Sequence, residues 1–84
     1  MPISAVEIDD RVADVRVTDA ALEVRLRDGR LIAAPLEWFP RLKKASPADR
    51  ANWEPSAAGH GIHWPAIDED LSVSGLLRQS ADAD

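Results

Sequence analysis

The chain is 84 residues long, with 15 acidic and 10 basic side chains, a net charge of −5 and no cysteine. That length holds one domain with a modest core, and the missing cysteines exclude disulfides and thiolate chemistry. The acidic balance disfavours nonspecific attraction to nucleic acid or anionic lipid.

Apolar residues make up 45% of the chain, which argues for a folded protein. No basic stretch followed by an apolar run opens the sequence, and no stretch approaches the roughly 18 apolar residues of a membrane span. A cytoplasmic protein is expected. Ile3, Val6 and Ile8 are read as an early strand. Val12 to Val17 alternates loosely and forms the next, ending at the polar break Thr18-Asp19-Ala20. Leu22 to Arg27 alternates strictly, the signature of a half-buried strand. Asp28-Gly29 then suits a two-residue hairpin turn. On that register Leu26 faces Leu31 and Val24 faces Ala33 inside, while Arg27 faces Arg30 outside.

Pro35 ends the hairpin because it cannot donate to a ladder. Pro40 suits the first turn of a short helix through Arg41, Leu42 and Lys43. Ser46-Pro47-Ala48-Asp49 opens a second helix, running to about Trp53, with serine as cap and aspartate at the positive end of the dipole. Glu54 to Gly61 reads as a loop. Gly61 to Trp64 is a returning strand closed by Pro65, and Asp68-Glu69-Asp70 an exposed acidic turn. Ser72 caps a last helix through Leu76 and Leu77. The expected architecture is α+β: an antiparallel meander or hairpin, two or three short helices and a returning C-terminal strand. It occupies residues 1–78, with 79–84 as a frayed polar tail.

His60 and His63 with Asp68 are residue types that bind metal. Residues three apart in a strand point to opposite faces, however, and Gly59, Gly61 and Pro65 argue against a helix there. Solvated and capping roles are preferred, and no metal or other cofactor is expected. None of the six serines sits in a Gly-x-Ser-x-Gly elbow, and the four glycines form no phosphate loop. The chain is therefore read as non-catalytic. Arg16, Arg25, Arg27 and Arg30 are placed on one sheet face, where like charges directly opposite are mildly destabilising. They either meet an acidic partner or a phosphate backbone, or are neutralised by Asp14, Glu23 and Asp28, and the last is the preferred reading. Trp38, Phe39 and Trp53 are read mainly as core, with an exposed tryptophan marking an interface.

The segments LRDGRLIAAPLEWFPRLKKASPADRANWE and GHGIHWPAIDEDLSVSGLL carry a resemblance. They are similar to the bacterial domain of unknown function family 2442. Its pattern is a strand, Asp-Gly-Arg, a second strand, Pro-Leu, a helix with Phe-Pro-x-Leu, then Gly-x-x-Ile-x-Trp-Pro-x-x-Asp and a final helix. The resemblance implies a small α+β fold with no established catalytic residues. It also implies, for some members, a neighbouring small gene, as in toxin–antitoxin pairs. The expected function is an interaction module for a protein partner, with Arg16, Arg25, Arg27, Arg30, Trp38 and Phe39 as candidate contacts. The alternative is a small nucleic-acid-associated regulator using the same arginines. A homodimer paired through sheet edges is a further expectation.

Overall fold

The computed structural model describes residues 7–82, with side chains through Gln79. Three strands form the first antiparallel sheet in the order of the chain: β1 (Val12–Val17), β2 (Ala21–Leu26) and β3 (Leu31–Pro35). Thr18 builds the β1–β2 turn. Its hydroxyl accepts from the N–H groups of Ala20 and Ala21 at 3.2 and 3.0 Å, and its own N–H donates to the Ala21 carbonyl at 2.9 Å. This is the local hydrogen bonding that draws threonine into turns. Of the predicted early strand, Ile8 is exposed in non-strand backbone, and Ile3 and Val6 lie outside the described residues.

The β2–β3 register differs by one residue from the two-residue-turn expectation. Leu26 N–H donates to the Arg30 carbonyl at 2.8 Å and Gly29 N–H to the Leu26 carbonyl at 3.0 Å. The connection is thus the three residues Arg27, Asp28 and Gly29. Gly29 takes the left-handed conformation (φ 97°) that this longer turn places at its end. The Asp28 carboxylate holds the loop by accepting from Arg30 N–H at 3.1 Å and Asp9 N–H at 3.0 Å. Val24 consequently pairs with Ile32 and Leu22 with Ala34. A one-residue shift moves every side chain to the other face. Ile32 and Ala34 are therefore buried, and Leu31 stands outside at 61% exposure. Arg27 lies in the turn and does not face Arg30.

The second sheet is β4 (Glu54–Ser56), β5 (Gly61–Trp64) and β6 (Glu69–Ser72), antiparallel and in that order. Only its central strand was expected. The loop reading of Glu54–Ser56 and the turn reading of Asp68–Asp70 are corrected: Pro55 pairs with Ile62, and Asp70 with His63. Asp68 alone keeps turn geometry, in the left-handed region at φ 53°. β5 alternates as a strand should. Ile62 and Trp64 point into the core, wholly buried, while His63 points away.

Pro40 and Pro47 open α1 (Pro40–Lys44) and α2 (Pro47–Ala51), as expected, though α2 ends two residues short of Trp53. Ser46 caps α2 by accepting from Asp49 N–H at 3.1 Å, and Ser72 caps α3 (Val73–Asp82) by accepting from Gly75 N–H at 3.0 Å. α3 continues five residues past Leu77, through most of the segment expected to fray. The core gathers the inner face of the first sheet, Ile62 and Trp64 of β5, Leu36, Phe39 and Leu42 from the middle of the chain, and Val73 and Leu76 of α3.

Candidate interaction surface

The outer face of the first sheet carries Arg16 and Arg25, but each stands opposite an acid. Asp14 pairs with Arg25 and Arg16 with Glu23 across β1 and β2. Opposite charges at such positions contribute about 0.2–1 kcal/mol each. With Leu31 they line a shallow depression of 260 Å³. The face is therefore charge-balanced around an exposed leucine.

Arg27 and Arg30 lie apart from it, at the hairpin tip. There the segment before β1 folds over the turn, with Asp28 N–H donating to the Asp9 carbonyl at 3.2 Å. Arg11 grips Asp9 through two bonds of 2.9 and 2.8 Å, and Arg30 grips Asp28 at 2.9 Å. The Asp28 side chain is only 4% exposed. The Arg30 hydrogen bond, helped by the Arg30 and Asp9 N–H groups and opposed by burial, holds the Asp28 carboxyl below the usual carboxylate range. Asp9 is held lower still, chiefly by its hydrogen bonds from Arg11.

A carboxylate with a depressed folded pKa contributes stability that is complete above the ordinary value near 3.8 and is lost as pH falls through the lower folded value. Asp28→Asn keeps an acceptor for the turn and removes the charge. It is expected to melt below wild type at neutral pH, with the gap closing under acid below about pH 4. Thermal unfolding at a series of pH values checks this, and a gap constant with pH would refute it.

Phe39 is buried in the core and offers no surface, whereas its neighbour Trp38 is 41% exposed. The histidines part as well. His60 Nδ1 lies 3.0 Å from Asp10 and His63 Nδ1 lies 2.9 Å from Asp70. Among the described residues no group of three or more metal-ligating side chains gathers.

A groove of 490 Å³ runs between β1 and α2, lined by Val15 to Asp19 on one side and Pro47, Arg50 and Ala51 on the other. Arg50 organises it. Its guanidinium donates to the Leu42 and Lys43 carbonyls at the end of α1, both at 2.9 Å, and to Asp19 at 3.0 Å. Its backbone carbonyl accepts from Trp64 Nε1 at 3.1 Å. Nothing in the pattern around Arg50 announces this, because all four partners lie seven or more residues away.

No helix among the described residues is long and apolar enough to cross a membrane. Residues 12–82 match the family model described as "Protein of unknown function (DUF2442)". The structure is similar to the crystal structure, at 2.75 Å, of a protein of unknown function from Rhodospirillum rubrum ATCC 11170. The TM-score is 0.69 and the identity 32%, over 82% of this chain and 86% of that one. No curated protein matches the chain.

Proposed function

This chain belongs to the DUF2442 family, and from that premise we propose that it is a non-catalytic interaction module that binds a protein partner in the cytoplasm. The observation that carries the reading is the outer sheet face, where Leu31 is 61% exposed beside two crossed charge couples. An exposed apolar residue bordered on one side by arginine and carboxylate groups suits an apolar contact with a polar rim. Such a face also tells against the nucleic-acid alternative. Each arginine on it already has an acid opposite, and the whole chain carries a charge of −5. The neighbouring small gene that the family resemblance implies for some members supports a partner encoded beside this chain, which would make this protein the neutralising half of a two-gene pair.

The test is capture of the tagged chain's partners from its native host at low and high salt. One stoichiometric protein is expected to persist at high salt and to be lost with Leu31→Asp, a surface change that leaves the core intact. Nucleic acid alone, recovered only at low salt, would overturn the reading, since phosphate contacts weaken steeply with salt.

A further inference from the structure

A sheet of three strands leaves two edges, and edges with unpaired backbone groups invite another strand. Most edges of this fold are blunted. β4 is three residues long and contains Pro55, β6 is four residues long and carries Glu69 and Asp70, and β3 ends in Pro35 and packs against α3. β1 also carries charged residues and has α2 beside it, but it is the longest of these edge strands, at six residues, and contains no proline.

Its backbone is poised for pairing. Thr18 N–H bonds to Ala21, and hydrogen-bonded and non-bonded pairs alternate along an antiparallel ladder. Arg16 therefore spends its N–H and C=O on Glu23, and Val15 and Val17 point theirs away from β2. The turn at the other end of β2 gives the same phase: Leu26 bonds to Arg30, so Val24, opposite Val15, turns its groups to β3. Among the described residues, no group bonds the outward N–H of Val15 or Val17. Alongside lies the 490 Å³ groove, whose far wall is Pro47, Arg50 and Ala51 of α2.

The sequence of β1 also selects its occupant. When two identical strands pair antiparallel about a twofold axis normal to the sheet, some residue must face its own copy. Centring on Asp14 sets two carboxylates opposite each other, and centring on Arg16 sets two guanidinium groups opposite each other. Both are unfavourable. Centring on Val15 instead puts Asp14 of each copy opposite Arg16 of the other. It also makes Val15 a hydrogen-bonded pair with its copy and leaves the charged residues in the closer, non-bonded positions. The irregularity between Val12 and Asp14 limits regular pairing to the stretch from Asp14 onward.

We propose that two copies of this chain associate through antiparallel pairing of their β1 edges centred on Val15, with Asp14 and Arg16 forming reciprocal ion pairs across the junction. The first sheets then merge into one of six strands, and the apolar surfaces of Pro47 and Ala51 receive the inward-facing side chains of the second copy. This interface shares Asp14 and Arg16 with the border of the Leu31 face, but it follows from the backbone of the β1 edge and does not rest on the partner reading.

Sedimentation velocity over a range of concentrations, with circular dichroism to verify folding, tests the pairing. Wild type is expected to dimerise. Asp14→Arg or Arg16→Asp alone makes both cross-junction pairs repulsive and should weaken dimerisation about tenfold or more. An equimolar mixture of the two variants restores opposite charges at both positions and should recover the dimer. Should a reversed-charge chain fail to fold, Arg16→Gln serves in its place, with several-fold weaker association expected. A wild type that remains monomeric overturns the proposal. So do single variants that dimerise like wild type, or a mixture that fails to recover.

Discussion

Trp64→Ala is expected to cost about 3–5 kcal/mol of folding stability. A domain of 84 residues holds a total margin of about 4–13 kcal/mol at ~0.05–0.15 kcal/mol per residue, so this one change removes a large part of it. Trp64 is fully buried at the end of β5, among residues drawn from both sheets and the helices. Its indole N–H is satisfied by the Arg50 carbonyl at 3.1 Å. Alanine there leaves a cavity too deep in the fold for neighbours to fill, and leaves that carbonyl without its donor. Trp64→Phe keeps most of the apolar volume and loses the hydrogen bond, so it should cost less, about 1–3 kcal/mol. Urea unfolding of the three proteins checks both values. An alanine variant within about 1 kcal/mol of wild type would mean that the core closes around the gap.

Arg50→Ala is expected to cost about 2 kcal/mol, because the part-buried bond from its charged donor to the Leu42 carbonyl contributes about 1.5–3 kcal/mol, while the exposed Lys43 and Asp19 contacts add little once water replaces them. Two of those bonds cap the last carbonyls of α1, and the third ties α2 to the β1–β2 turn. Arg50→Lys should recover only a small part of the loss. An ammonium on a flexible stem lacks the fork that reaches two carbonyls and a carboxylate together. Chemical denaturation compares the variants, and full recovery by lysine would show that charge alone suffices. The alanine variant should also splay the groove beside β1, since Arg50 holds its far wall against Asp19.

What the sequence itself determined is what depends on neighbours in the chain. β1 and β2 follow from alternation, the starts of α1, α2 and α3 from proline or serine capping, and the burial of Ile62 and Trp64 from period two around a short strand. The family resemblance was legible for a related reason, since its residues are mostly the turn, cap and core residues of those elements. The charge balance of Arg16 and Arg25 was likewise readable from Asp14 and Glu23 as the preferred alternative.

Tertiary structure decided the remainder. Glu54–Ser56 and Glu69–Ser72 have little strand propensity, and they are strands because β5 offers each a ladder. Leu31 and Ile32 are almost interchangeable in composition. Which of them is buried turned on Asp28 accepting from Asp9, a residue nineteen positions away, and so fixing a three-residue turn. The same turn dispersed the four arginines, leaving two on the sheet face and two at its tip. Trp38 and Phe39 are adjacent aromatics with opposite fates, set by which one the middle of the chain turns toward the core. Each of these outcomes depends on a contact between distant segments. The local pattern makes such contacts available, and only the packed fold selects among them, because burial and long-range hydrogen bonds outweigh the small differences in local preference.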